Sequence, residues 1–241
     1  MRISNCGCGN AAAEKEADLS PYSVDAGKET LQQSSCRATY VYSYVLSTAG
    51  LSQDGLIQNL GCAPNMDGGI ITLTTCKHLM RTLRSANQWE GVCVAGFTKR
   101  TDGKNYLYYL MRVEKAFDSF HAIWFNLSHN LSVRNAKSAS HNPRGDLYEP
   151  RSFHISNVYD HANYIPPCPK HGHAGGAWIN DIRYRTRAGR RPVLLAGDPE
   201  CSFVWRTPMY YSKHWAANSR AARPGKSWSW ADFIKDLAET A

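Results

Sequence analysis

Alternation of apolar and polar positions starts at the stretch "RATYVYSYVLS". Tyr40, Tyr42 and Tyr44 share one side and Val41, Ser43 and Val45 the other, the period of two that predicts a strand. "IITLTTC" is short and β-branched and predicts another strand. "KHLMRTLRSANQW" then changes period, placing Leu79, Met80 and Leu83 on one helical face with Arg81 and Arg84 near another edge. "GVCVAGF" and "YLYYLMRVEKAF" predict two further strands, joined by "TKRTDGKN", whose Asp-Gly signals a hairpin. "SFHAIWFN" predicts one or two helical turns, and residues 127–164, rich in Asn, Ser and His, predict a long functional loop. "RPVLLAG" and "CSFVWR" read as late strands, and "SWADFIKDLAE" as a terminal helix with Ser229 as its N-cap.

Strand, loop, strand, helix, hairpin, loop, strand, helix is the order of an α+β fold with a small, mostly antiparallel sheet. Paired strands of this kind roll into a small barrel with flanking helices. Residues 1–36 are poor in large apolar side chains and predict a flexible tail, with a weak helix near Ala11–Ala17. Residues 37–241 then form a single domain with a basic, aromatic-rich C-terminal part.

Composition narrows the function classes. No apolar run approaches the ~20 residues that cross a bilayer, and the N-terminus has no secretory apolar core. The expectation is a protein inside the cell, cytoplasmic or with the nucleoid or nucleus, with no membrane partner. There its eight cysteines would be separate thiols, mostly small buried hydrophobes. The formal charge of +8 is uneven: residues 183–226 hold ten Lys and Arg against Asp198 and Glu200. A basic end interleaved with Trp and Tyr points to a nucleic-acid partner, the alternative being a merely solvated basic face. No Gly-rich phosphate loop of the Walker or dinucleotide type is present, so no nucleotide cofactor is expected.

Four stretches carry candidate chemistry. In "GCAPNMDGGIITLTTCKHLMR" the strand hands over to a helix at Cys76. Lys77, Arg81 and Arg84 would share a face near that helix start and cradle phosphate, while Cys76 is a candidate nucleophile with packing as its alternative. In "HNPRGDLYEP", Asp146 or Glu149 would hold a ribose, a metal or a catalytic proton, or only shape a turn. "DHANYIPPCPKHGH" offers His161, Cys168, His171 and His173, but with one irregular arm, so no metal site is expected. In "RYRTRAGRR", Arg183, Arg185 and Arg187 would share one face of a strand, with Arg190 and Arg191 following. Tyr and Trp residues from Trp205 to Trp230 would be available for stacking.

The first stretch, with "YLYYLMRVEKAFDSFHAIW" and "GDLYEP", resembles the DNA base hypermodification family, the second type of nucleotide-modification-associated domain. The matching positions are Ala63, Pro64, Asn65, Gly69, Thr72, Leu73, Cys76, Lys77, Arg81, Met111, Val113, Gly145, Asp146 and Tyr148. The likeness runs from about Thr39 to Arg206. Where the family has Gly-Asp-Trp-Val, this chain reads "SANQWEGVCVAG". The element order also looks like the PUA and EVE pseudobarrels that read modified bases. The resemblance implies a place in a DNA base modification system, alongside partner enzymes. Two readings follow. In the first, the chain binds a nucleotide or a modified or flipped base, with Asn65 and Asp146 on its edge and Tyr148 stacked on it. In the second, it is an enzyme acting on a base through Cys76 or Asp146.

Overall fold

The computed structural model describes residues 36–98, 104–127, 129–208 and 227–239. Within them lie eight strands: β1 (Tyr40–Val45), β2 (Ala49–Leu51), β3 (Ile57–Asn59), β4 (Thr72–Leu73), β5 (Cys93–Phe97), β6 (Leu107–Phe117), β7 (Leu194–Val204) and β8 (Ser227–Ser229). Six helices accompany them: α1 (His78–Arg81), α2 (Ala86–Trp89), α3 (Phe120–Leu127), α4 (Leu131–Lys137), α5 (Ala177–Arg183) and α6 (Trp230–Glu239). The expected tail helix, the tip of the hairpin, and Tyr210, Tyr211, Lys213 and Trp215 lie outside the described residues.

The main sheet runs β4-β7-β6-β5-β1-β8, with β1 and β5 parallel and every other neighbour antiparallel. It is α+β and mostly antiparallel as expected, but β4 and β8 end it, so it stays open where a closed barrel was anticipated. The two late strands are one: β7 continues through Gly197–Pro199, and the mismatch is absorbed by shifted register along β6 at Met111–Lys115.

Both faces of the sheet are covered, which is why β1 is buried throughout its centre. Tyr42, Tyr44, Val94, Tyr109 and Met111 face one core, packed with Met80 of α1 and Trp89 of α2. Val41, Cys93, Ala95, Leu110 and Phe203 face a second, closed by Phe233 of α6. The C-terminal tryptophans belong to this second core: Trp205 is buried in it and Trp228 and Trp230 pack against it, so they are not the stacking surface expected. Ser229 caps α6 as predicted, its hydroxyl accepting from the Asp232 amide at 3.1 Å. A third core lies between α3, α5 and the start of β7.

Three local expectations change. The helix predicted after Cys76 is two single-turn helices, broken where Ser85 starts a capping box for α2. Its buried side is Met80 and Arg81, while Leu79 and Leu83 are about 40% exposed. The long loop contains α4 and folds back on itself through an isolated bridge between Ser138 and Leu147. Cys36 and Cys201, expected as separate thiols, are joined as a disulfide with Cα atoms 5.1 Å apart. The bond ties the residue ahead of β1 to β7.

Candidate functional site

The stretches around Asn65 and Asp146 build a clasp. Asn65 follows a cis Ala63–Pro64 peptide and is buried. Its side-chain oxygen accepts from the Asp67 amide at 2.9 Å and from Lys137 Nζ at 2.7 Å, and its amide donates to the Arg144 carbonyl at 2.7 Å. Lys137, at the end of α4, also donates to the carbonyls of Asn65 and Ile70. Asp146 is fully buried and takes the hydroxyl of Thr72 at 2.8 Å on one oxygen and that of Thr74 at 2.9 Å on the other. Burial pushes its carboxyl up to about 6 against the pull of Lys137 and the two threonines. Burial likewise lowers the Lys137 ammonium to about 8.

These groups join residues 65–74 to residues 137–146 and present nothing outward. Asn65 and Asp146, expected on the edge of a base or sugar, are thus buried with their polar atoms bonded to the chain itself. Glu149 sits 3.3 Å from the Ser140 hydroxyl at the rim of the same loop.

Arg81 is corrected in the same way. It is 0% exposed. Its Nε, Nη1 and Nη2 donate to the carbonyls of Cys76, Val193 and Thr74. Burial lowers its guanidinium to about 10, with Asp181 opposing. Lys77 occupies the left-handed region at φ 56°, donates to the Val45 carbonyl at 3.1 Å and lies 4.7 Å above the Tyr44 ring. Arg84 donates to the Tyr42 hydroxyl at 2.8 Å and covers the Tyr40 ring. The three cations thus diverge, and a four-residue α1 has too few aligned peptides to hold an anion by itself. Cys76 packs against the first core.

A different group gathers around the same junction. His78, the first residue of α1, stacks on Tyr184 with ring centres 4.5 Å apart and planes 15° from parallel. Its Nε2 stands 3.0 Å from Asp181 Oδ1, and its side chain keeps 20% of its exposure. Asp181, on α5, is buried, and its other oxygen takes the Tyr148 hydroxyl and His173 Nδ1, each at 2.6 Å. Burial works against charge on Asp181, yet the bonds and charges of His173 and His78 hold its carboxyl well below the usual range. Tyr148 is fully buried with its hydroxyl committed, so it cannot stack on a base as anticipated. His171 directs Nε2 to the Gly145 carbonyl at 2.7 Å. Cys168 is half-buried and donates its amide to the Ala139 carbonyl. Among the described residues no three His, Cys, Asp or Glu side chains are placed to hold a metal.

Beside Asp181 and Tyr184 lies a shallow cleft of about 10 Å³, room for one water, lined also by Asp118, Phe120, Tyr159 and Arg191. The Arg191 guanidinium sits 3.5 Å over the Tyr159 ring. Burial and the nearby charge of Arg185 both lower the Arg191 guanidinium. The arginine-rich segment is not a strand. Arg183 ends α5, and a turn closes when Thr186 takes the Arg190 amide on its hydroxyl at 3.0 Å. Arg183, Arg185, Arg187 and Arg190 are all exposed. Arg183 reaches Asp160 at 3.4 Å.

Asp181, Tyr159 and Tyr184 were missed from sequence, and His78 was noted only as an uncertain base for Cys76. One signal was present: His78 beside Cys76 at the handover. Asp181 stands in an otherwise basic segment far away in sequence, with nothing local to pair it to His78. Compared with known proteins, the chain matches no family model, no curated protein and no solved structure.

Proposed function

We propose that the chain is a nucleic-acid-binding domain of a DNA base modification system, gripping phosphate with the Arg183–Arg191 turn and receiving a modified or unstacked base against the aromatic surface beside it. One observation carries this reading: exposed Arg183, Arg185, Arg187 and Arg190 share one turn with Arg191, whose guanidinium lies 3.5 Å over the Tyr159 ring. Several guanidiniums on one turn offer a ready anion site, and phenol rings supply faces for a base. The motif likeness adds the modification context. A mostly antiparallel sheet with flanking helices is compatible with a PUA-like reader, in an open form. Partner modification enzymes would then act on the DNA it holds.

The enzymatic alternative moves from Asp146 to His78. A buried carboxylate orienting a partly exposed imidazole beside a cleft is the arrangement of a general base.

One experiment separates the two. Short DNA, plain and base-modified, is titrated across a salt series with wild type and with Arg185→Ala/Arg191→Ala, and the nucleosides are weighed afterwards. Affinity that falls with salt, weakens in the double variant and lowers the salt slope by about 1–2 supports the binding reading. Salt-insensitive binding, or affinity unchanged in the variant, overturns it. An altered nucleoside mass that disappears in His78→Ala assigns catalysis to His78.

A further inference from the structure

The surface beyond the cleft carries an exposed aromatic group that neither reading uses. Phe153 is 62% exposed, in the segment between β6 and β7. Phe125 of α3 meets it edge-on with ring centres 4.9 Å apart, and His154 meets it nearly perpendicular at 5.0 Å. His121 lies 4.8 Å from Phe125 and 6.2 Å from Phe153. The group is fixed in place. His121 Nε2 is 2.8 Å from the Phe153 carbonyl, the Arg151 amide donates to Asn163, and Ile155 packs against the third core.

It is linked to the cleft through the start of α3. Asp118, Ser119 and Phe120 line the cleft, and His121 is the next residue of α3. Tyr159, stacked under Arg191, donates its hydroxyl to the Asp118 carbonyl at 3.3 Å.

We propose that Phe153, with His121 and His154, is a stacking platform for bases of a single strand, continuing the path that begins at the arginine turn. This rests on the nucleic-acid reading above and names the form of nucleic acid bound. Three features select this occupant. The exposed apolar area is about one aromatic ring, flanked by two imidazoles and Arg151, which matches a base and is far smaller than the ~800 Å² per side of a stable protein interface. The rim is basic: the five arginines of the turn outnumber Asp118 and Asp160, and Asp160 already pairs with Arg183 and His161. A duplex keeps its bases stacked inside, so it gains nothing from an exposed ring, whereas each unstacked base does.

The test compares a labelled 12-nucleotide single strand with the matched duplex at fixed salt. Phe153→Ala lowers single-strand affinity roughly 5- to 100-fold, the effect of removing one stacking ring, and leaves duplex affinity and the salt slope unchanged. Phe153→Trp retains the affinity, and strand binding quenches its added fluorescence. Wild-type affinity for the single strand in Phe153→Ala, or equal losses for strand and duplex, overturns the platform while leaving the arginine-dependent reading intact. Wild type that binds neither form overturns both. A Phe153-dependent dimer in sedimentation overturns the platform by assigning this face to a second copy.

Discussion

Arg81 gives three donors to three carbonyls of its own chain, so its charge works inward. Replacing it with Ala orphans those carbonyls, at roughly 1–3 kcal/mol each before relaxation, and Arg81→Ala is expected to lose several kcal/mol in urea unfolding. Arg84→Ala, half-exposed, is expected to lose about 1 kcal/mol or less. Loss of DNA binding in Arg81→Ala would consequently report unfolding, and Arg185 and Arg191 are the residues to alter. Asp146 sets a pH dependence. Its folded value of about 6 lies above the ~4 of an unfolded Asp, so the folded state holds the extra proton. Its contribution therefore falls as pH rises from about 4 to 6, by on the order of 3 kcal/mol. Lys137 acts in the other direction: folded at about 8 against ~10.4 unfolded, its contribution rises from pH 8 upward. Urea midpoints of wild type minus Asp146→Asn across pH 4–7 isolate the first effect, and a flat difference would remove Asp146 as its source.

Among the elements, the return from α4 to β7 depends on Gly145. A Cβ there would stand 2.5 Å from both the carbonyl carbon and oxygen of Ser138, backbone atoms that cannot turn aside. The Ala139 amide bonds the Leu147 carbonyl and the Leu147 amide bonds the Lys137 carbonyl, both at 2.9 Å, so the two strands of this loop approach closely by design of their hydrogen bonds. Gly145→Ala is expected to lose about 1–3 kcal/mol and to weaken the Asp146 clasp, seen as faster hydrogen exchange at Thr72 and Thr74. Unchanged protection at both threonines would mean the loop accommodates the methyl. Gly145 and Asp146 were legible as a turn with a purpose. That purpose is to seat Asp146 on two threonine hydroxyls and to let the loop pass Ser138.

At the scale of the molecule, the Cys36–Cys201 bond closes the second core from the chain's N-terminal side. Oxidised wild type is expected to exceed Cys36→Ser in unfolding free energy by about 2–4 kcal/mol, with the bond verified by mass after alkylation without reductant. Equal midpoints would mean that this link adds nothing to the fold. Among the described residues no helix is long and apolar enough to cross a membrane, in line with the absence of a long apolar run.

Local pattern determined β1, β4, β5 and β6, the capped final helix and the α+β class, though it split β7 in two and missed β8, because period, β-branching and an N-cap act over a few neighbouring residues. It also marked the strand-to-helix junction at Cys76 and the basic turn at Arg183–Arg191 as unusual. Only the tertiary structure decided which polar groups face inward. Asn65, Arg81 and Asp146 look like surface chemistry in sequence and are interior clasps in space, joined by Lys137, since burial is set by what the distant strands bring over them. The pairing of His78 with Asp181, the cleft under Arg191 and the exposed ring of Phe153 arise from contacts between remote segments. No local spacing encodes such contacts, because the sheet order that creates them is a property of the whole chain.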